Sequence, residues 1–208
     1  MAYLGTYPAP ANISEVPSMD AWPIWNYDRE GAQIRVVCYT NCVAARLLLN
    51  GAMVGTTKPK DEQCGILFWD IPYYPGRLEV EALDEQGTPV ARYVLQTADA
   101  PSRIIAETDR VTVAPNDLIQ VFVRVEDSDG HLAMLSDHEL ECRIDGPAIL
   151  LGMEGSNNSD MTDYTDNRHR VYHGSMVVYL RAGSERGNVD VHFDSPGLES
   201  CILSLVIE

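Results

Sequence analysis

The stretch CYTNCVAARLLLNGAMVG, Cys38–Gly55, contains the turn that decides the fold. In it, Asn50-Gly51 lies between the apolar runs RLLL and AMVG. Asn-Gly between two such runs is the strongest short-range signal for a β-hairpin, because both central residues of a type I′ turn adopt positive φ. The stretch therefore predicts two antiparallel strands joined at this turn.

The same stretch also offers the alternative of a thiol site, because Cys38 and Cys42 are four positions apart. Four residues of strand separate them by roughly 13 Å, beyond the ~7 Å Cα separation that a disulfide allows. A break at Thr40-Asn41 would shorten the distance, but no second cysteine or histidine pair follows at zinc spacing. We therefore interpret both cysteines as small buried apolar residues.

Short strands separated by turn signals continue along the whole chain, and no segment has a convincing helical pattern. They include QIRVVCYT, GILFWDI, RLEVEAL and ARYVLQT in the first half, and IQVFVRVEDSDG, ELECRI, MVVYLRA, VDVHF and CILSLVI in the second. Turn signals at intervals of about 8 to 12 residues are typical of β-sandwiches of immunoglobulin-like size. The sequence predicts an all-β protein.

A small-residue and proline segment, ADAPS at 98–102, divides these strands into two series. It predicts two consecutive immunoglobulin-like β-sandwich domains, 22–98 and 99–208, preceded by an irregular segment, 1–21. The interval Gly152–Gly174 has no strand pattern. Because loops of this length are usually functional or disordered, and this one contains apolar anchors and arginines beside aspartates, we expect an ordered surface loop.

The segment RLEVEAL contains two glutamates that could be taken for a catalytic pair. Glu79 and Glu81 are two positions apart and share one face of a strand. A retaining glycosidase needs two carboxyl groups about 5 to 5.5 Å apart in a sugar-sized cleft. Leu78, Val80 and Ala82 alternate with the glutamates and predict the core-facing side. We therefore expect both glutamates in water.

The charge of the chain excludes some classes of partner. Fifteen basic against 31 acidic residues give a formal net charge of −16, and no Lys/Arg cluster offsets it locally. This charge disfavours binding to nucleic acid or to an anionic membrane. No run of about 18 apolar residues could cross a bilayer. Neutral sugars or cations are the ligands that fit such a surface.

Sequence features leave the cellular compartment open. The five cysteines are odd in number and scattered, so they do not form the disulfide framework of a small secreted domain. The first twenty residues lack the basic start and apolar core of a signal peptide. An export signal in a longer parent protein would place the chain in the periplasm or outside the cell.

Six segments together resemble the region after the catalytic barrel in bacterial glycoside hydrolase family 2 proteins of the β-galactosidase type. The resemblance covers the chain from Trp22 onward and implies two immunoglobulin-like accessory domains. The segments are IRVVCYTNCVAARLLLNGAMVG, ILFWDIPYYPGRLEVEALDEQG, the hinge TADAP, DRVTVAPNDLIQVFVRVEDSDGHL, IDGPAILLGMEGSN and DNRHRVYHGSMVVYLRA.

This resemblance implies a non-catalytic role. A (β/α)₈ barrel needs about 250 residues of alternating strands and helices, and the family's catalytic glutamates belong to that barrel. No catalytic residue is therefore assigned here. The expected partner is the barrel of a parent glycosidase, supported structurally or at the rim of its substrate cleft, and self-association is a further expectation. The alternatives are a carbohydrate-binding module and an adhesin-like surface module.

Four aromatic residues are candidates for binding glycans: Trp22 and Trp25 in AWPIWNY, and Tyr73 and Tyr74 in IPYYPG. Their faces can stack against sugar rings. The competing interpretation is that they close the end of a sandwich, and the resemblance favours this packing role for Trp25.

Oxygen donors in the long loop are candidates for binding calcium, which takes six to eight oxygen ligands. Asp160, Asp163 and Asp166 are the expected ligands, although neither the loop nor DSDG at Asp127–Gly130 matches an EF-hand. Aspartates also cluster in loops because their side chains cap turns, and we favour that interpretation. His169 and His173 have no third ligand in register. No other cofactor is expected.

Overall fold

The computed structural model describes residues 1–10, 21–61 and 65–208. Within those ranges it contains sixteen strands, and no helix able to cross a bilayer was found there. The chain forms two compact units, Met1–Thr97 and Ala98–Glu208. The prediction of an all-β protein is confirmed.

The described residues of the N-terminal unit form seven strands in two sheets, ordered β1-β2-β5 and β4-β3-β6-β7. Buried side chains from both sheets, among them Val36, Leu47, Trp69 and Val80, form one apolar core. The sheets are therefore the two layers of a sandwich. The strands are β1 (Ala2–Pro8), β2 (Gln33–Thr40), β3 (Ala44–Leu49), β4 (Ala52–Pro59), β5 (Ile66–Pro72), β6 (Arg77–Leu83) and β7 (Pro89–Gln96).

The predicted hairpin joins β3 to β4, with Leu49 paired to Ala52. Asn50 and Gly51 have φ values of 52° and 81°, as a type I′ turn requires. The Asn50 side chain also donates to the carbonyl of Pro75 at 3.0 Å and accepts from the amide of Arg77 at 2.8 Å. The turn is thereby attached to the start of β6, and the hairpin prediction is confirmed.

The expectation that residues 1–21 are irregular is wrong for β1. This strand pairs with β2 from Ala2 to Pro8, and the side chains of Leu4 and Thr6 are 0% and 2% exposed. Prolines around the segment suggested irregular structure, but β1 carries a single proline, at its last position. The ladder bond beyond it is donated by the amide of Ala9 to the carbonyl of Gln33 at 2.9 Å. The part of the expectation that concerns residues 11–20 lies outside the described residues.

The expectation that Glu79 and Glu81 lie in water is also wrong, since they are only 6% and 5% exposed. They point away from the core, but arginines of β6 itself and of the neighbouring strands β3 and β7 cover them. The Arg46 Nε donates to Glu81 at 2.6 Å, Arg92 lies 2.7 Å from the other Glu81 oxygen, and Arg77 donates to Glu79. The alternating pattern predicts the correct face of β6 for the two glutamates, but it cannot show that arginines cover that face.

The C-terminal unit contains nine strands in two sheets, ordered β12-β14-β10-β8 and β13-β11-β15-β16-β9. Val121, Val178, Phe193 and Leu205 are fully buried between them. The strands are β8 (Arg103–Thr108), β9 (Thr112–Val113), β10 (Leu118–Glu126), β11 (Glu139–Asp145), β12 (Ala148–Glu154), β13 (Arg168–Arg170), β14 (Ser175–Ala182), β15 (Gly187–Asp194) and β16 (Cys201–Ile207).

The interval Gly152–Gly174, expected to lack strands, contains the end of β12 and all of β13. β13 pairs with β11, with His169 opposite Leu140. Its sequence, RHR, is too short and too polar to show a period of two, and only pairing with β11 makes it a strand. The segment 155–167 between β12 and β13 is the connection that positions the candidate site.

The DSDG turn after β10 is organised by one buried carboxylate. Asp127, 1% exposed, accepts hydrogen bonds from the backbone amides of Asp99, Asp129 and His131 at 2.8 to 3.0 Å, and the His131 ring lies 3.2 Å away. Burial alone would raise the pKa of Asp127, but the hydrogen bonds and the charge of His131 lower it to about 2. The ionised form is therefore the one that stabilises the fold.

The substitution Asp127→Asn should lower the stability of the C-terminal unit by about 2 kcal/mol at pH 7. Because the folded pKa lies below the unfolded value near 3.9, the contribution is present above pH ~4 and is lost as the pH falls towards ~2. Urea unfolding of both proteins followed by circular dichroism at several pH values measures this. A stability difference that does not shrink between pH 4 and 2 would contradict the assignment.

Candidate functional site

Two of the four aromatic candidates for glycan binding are buried. Trp25 and Tyr73 are 1% and 3% exposed, and their rings meet edge to face with centroids 5.1 Å apart. The Trp25 Nε1 donates to the carbonyl of Tyr74 at 3.0 Å. Neither ring offers a face to a sugar, so the glycan-binding prediction is wrong for both, and they pack the N-terminal unit instead.

The other two candidates remain accessible. Trp22 and Tyr74 are 45% and 48% exposed. The backbone of Trp22 bridges to Thr6, and Tyr74 precedes the turn into β6. Both rings are available to solvent, and their binding to glycans stays a prediction.

The three aspartates expected to bind calcium are held in turns of their own. One oxygen of Asp160 accepts from the amide and hydroxyl of Thr162, at 2.9 and 2.7 Å. Asp163 accepts from the amide and hydroxyl of Thr165 in the same way, at 2.9 and 2.7 Å. Asp166 accepts from the amide of Asn167. The favoured interpretation, side chains that cap turns, therefore describes this geometry.

These aspartates line a cavity of about 470 Å³ together with Arg168 and Arg170. Glu139 lines it as well, and the two guanidinium groups offset part of the charge of the four carboxylates that a divalent cation would need. Among the described residues, no group of three histidine, cysteine, aspartate or glutamate side chains is arranged to hold a metal ion. Calcium binding stays a prediction, and the geometry does not favour it.

The two cysteines of the opening stretch are free, as are Cys142 and Cys201, and Cys64 lies outside the described residues. Cys38 is buried on β2, and burial, with a smaller contribution from Cys42, raises the pKa of its thiol to about 12. Burial raises the pKa of Cys142 to about 12 as well. Because the thiolate is the reactive and metal-binding form, this favours the interpretation of Cys38 as a buried apolar residue.

A cleft of about 700 Å³ opens on the outer face of the β12-β14 pair in the C-terminal unit. Leu118 and Tyr179 lie on the sheet, and the segment 155–167 with Tyr164 forms the opposite wall. The volume is within the range of about 300 to 1,000 Å³ found for small-molecule sites.

Two backbone irregularities shape this cleft. A β-bulge at Leu150–Gly152 interrupts the pairing of β12 with β14, and such bulges often re-aim side chains next to functional sites. A Cβ on Gly152 would lie 3.1 Å from the Tyr164 ring, so the absence of a side chain lets this ring approach the sheet. The amide of Met153 donates to the carbonyl of Tyr164 at 2.7 Å and holds the segment in place.

The sequence indicates the loop before β13, but it does not indicate most of the residues that line the cleft. Tyr179 was visible only as a member of the strand MVVYLRA, in which buried Val178 and Leu180 alternate with outward positions. An aromatic residue at an outward position is a signal for a surface site. Without the bulge in β12, however, the sequence could not show that Tyr164 would lie across from it.

Comparison with known proteins follows the division into two units. A family model described as "Glycoside hydrolase family 2 C-terminal domain 5" matches residues 103–204. A second, described as a domain of unknown function, DUF4982, matches residues 31–91.

Longer proteins contain a region similar to most or nearly all of this chain. A β-glucuronidase of Formosa agariphila is 23% identical over 186 residues, which is 87% of this chain but 18% of that protein. A crystal structure of a β-glycosidase from Bacteroides vulgatus, 27% identical with a TM-score of 0.84, covers 99% of this chain, which spans 24% of that structure. A family 2 member from Bacteroides cellulosilyticus, 23% identical with a TM-score of 0.89, shares the fold over 98% of this chain and 28% of its own.

Both β-sandwiches occur together in longer glycosidases, of which they form a minor part. This arrangement is that of an accessory region separate from a catalytic domain. Each sandwich has its own family match, and the solved relatives contain both in one chain. Residues 103–204 match the C-terminal domain of glycoside hydrolase family 2, and the chain as a whole is similar to the accessory region of longer glycosidases. This chain spans 18% to 28% of the length of the relatives described above.

Proposed function

We propose that this region supports the catalytic barrel of a parent family 2 glycosidase. The observation that carries the proposal is coverage: nearly all of this chain aligns with the β-glycosidase from Bacteroides vulgatus, yet it accounts for 24% of that structure. The remainder leaves room for a barrel of about 250 residues. The parent's hydrolysis of glycosides is part of the same proposal.

The ion-paired carboxylates of β6 support a structural role. Glu79 and Glu81 are covered by Arg46, Arg77 and Arg92. A nucleophile or general acid must reach substrate, whereas these carboxylates are covered by guanidinium groups and already bonded. Their geometry stabilises the sheet β3-β6-β7 and supplies no cleft for a sugar.

Deletion of this region from the parent protein tests the proposal. The truncated parent should unfold at a lower temperature or aggregate, because the barrel surface that the region covers would be exposed to water. Calorimetry and glycosidase assays of both proteins measure these effects. A truncated parent with an unchanged Tm and unchanged kcat/KM would show that the region supports nothing in the barrel.

We also propose two further partners besides the barrel, namely glycans and a second copy of the chain. Self-association stays a prediction, which sedimentation of the purified chain would test. The match of residues 103–204 to a family 2 C-terminal domain favours the accessory role over an adhesin-like module. Glycan binding is favoured by a specific feature, the cleft of the C-terminal unit.

A further inference from the structure

We propose that the cleft between Tyr179 on β14 and Tyr164 in the segment 155–167 binds a neutral oligosaccharide. Such a site goes beyond support of the barrel, because it does not depend on the barrel. It also differs from the buried pair Trp25 and Tyr73, which lie in the other unit.

Two tyrosine rings give the cleft surfaces for stacking. Tyr164 is 63% exposed, and Tyr179 is half-buried. Both flank Gly152: this residue pairs directly with Tyr179 across the strands, and the Tyr164 ring lies where a side chain at Gly152 would point. Sugar rings present apolar C–H faces, which pack against aromatic rings held in this way.

Polar groups around the rings match hydroxyl groups. Among the described residues, the Glu154 carboxylate, the Asn158 amide and the hydroxyls of Tyr164 and Tyr179 have no protein hydrogen-bond partner, and all four residues line the cleft. Carboxylates and amide oxygens accept from hydroxyls, while amide nitrogens donate to them. Apolar walls with a few convergent polar groups are the usual composition of ligand sites.

The charge of the cleft selects a neutral ligand. Of the described residues that line it, Glu154 and Asp160 are acidic, and none is lysine or arginine. The whole chain carries a formal net charge of −16. A uronate or phosphate would therefore be repelled, whereas a neutral saccharide is not. The neighbouring cavity with Arg168 and Arg170 shares the wall of Asn157, Asp160, Thr162 and His169 with this cleft, but neither arginine lines the cleft itself.

Calorimetric titration of the full chain tests the proposal. The probes are the neutral tetrasaccharides of β-1,4-linked glucose, mannose, xylose and galactose, with tetragalacturonate as the anionic comparison. At least one neutral tetrasaccharide should bind, and more tightly than tetragalacturonate. All three tryptophans, Trp22, Trp25 and Trp69, lie in the N-terminal unit, so tryptophan fluorescence should not change on binding.

Variants locate the site. Tyr164→Ala should lower the association constant by at least tenfold, and Glu154→Gln, which keeps the shape of the side chain, should lower it several-fold. Tyr74→Ala is the matched control, because Tyr74 is a comparably exposed tyrosine of the other unit, and it should bind as the unmutated chain does. Far-UV circular dichroism checks that each variant is folded, and the exposure of Tyr164 and Glu154 makes unfolding unexpected.

Three results would each overturn the proposal. The first is that no neutral tetrasaccharide binds at millimolar concentration. The second is that binding is unaffected by both Tyr164→Ala and Glu154→Gln. The third is that binding quenches tryptophan fluorescence and is lost in Tyr74→Ala, which would place the sugar on the N-terminal unit.

Discussion

Replacement of Trp25 by alanine should lower the free energy of unfolding of the N-terminal unit by about 3 to 5 kcal/mol. Trp25 is 1% exposed, its ring contacts Tyr27 and Tyr73 with centroids 6.1 and 5.1 Å away, and its Nε1 donates to the carbonyl of Tyr74. The substitution removes these contacts and leaves a cavity. It also leaves the Tyr74 carbonyl without this donor.

Urea unfolding monitored by the fluorescence of buried Trp69 measures this loss in the N-terminal unit alone, because the C-terminal unit contains no tryptophan. Trp22→Ala is the matched control. Its side chain is 45% exposed, and truncation should cost less than about 1 kcal/mol. Equal losses in the two variants would contradict the assignment of Trp25 to the core.

Replacement of Arg35 by methionine should lower the free energy of unfolding of the N-terminal unit by about 3 kcal/mol, and this is the second large effect. Arg35 is completely buried on β2, and its Nε and one terminal nitrogen donate to the two oxygens of Asp70 at 2.8 Å each. Its guanidinium also lies 4.5 Å from the Phe68 ring centroid. Without the arginine, a carboxylate that is only 18% exposed loses its counter-charge.

A double-mutant cycle separates the pair from the packing around it. Asp70→Leu alone leaves a buried cation, whereas Arg35→Met with Asp70→Leu replaces the pair by apolar groups, which is often nearly neutral. The double variant should therefore recover most of the stability lost in Arg35→Met. Additive losses in the Trp69-monitored unfolding would show that the two side chains are not coupled.

The regular elements of the fold were predictable because their signals are local. Asn50-Gly51 fixes a hairpin by its own backbone preferences, and alternating runs such as that of β10 identify strands without knowledge of their partners. β1 and β13 were missed because each becomes a strand through pairing with a distant segment, β2 or β11. The seven residues of β1 and the three residues of β13 contain no sequence signature of such pairing.

Burial of polar and aromatic side chains was less predictable, because it depends on neighbours across strands. The segment RLEVEAL contains Arg77, the partner of Glu79, but it does not show that Arg46 of β3 and Arg92 of β7 pair with Glu81. The same holds for AWPIWNY, where Trp25 is buried and Trp22 is exposed. A prediction of the cleft would require two further features, the bulge in β12 and the approach of Tyr164 to Gly152. Both arise only in the folded sheet.

The central claim is that this chain is a non-catalytic accessory region, and a hydrolysis assay tests it most directly. The purified chain is incubated with p-nitrophenyl β-galactoside, β-glucuronide, β-glucoside and β-xyloside, and release of nitrophenol is compared with buffer. Hydrolysis should equal that in buffer, because the carboxylates of Glu79 and Glu81 form ion pairs with arginines and cannot reach a substrate. Turnover that co-elutes with the chain and is lost in Glu79→Gln or Glu81→Gln would contradict the account.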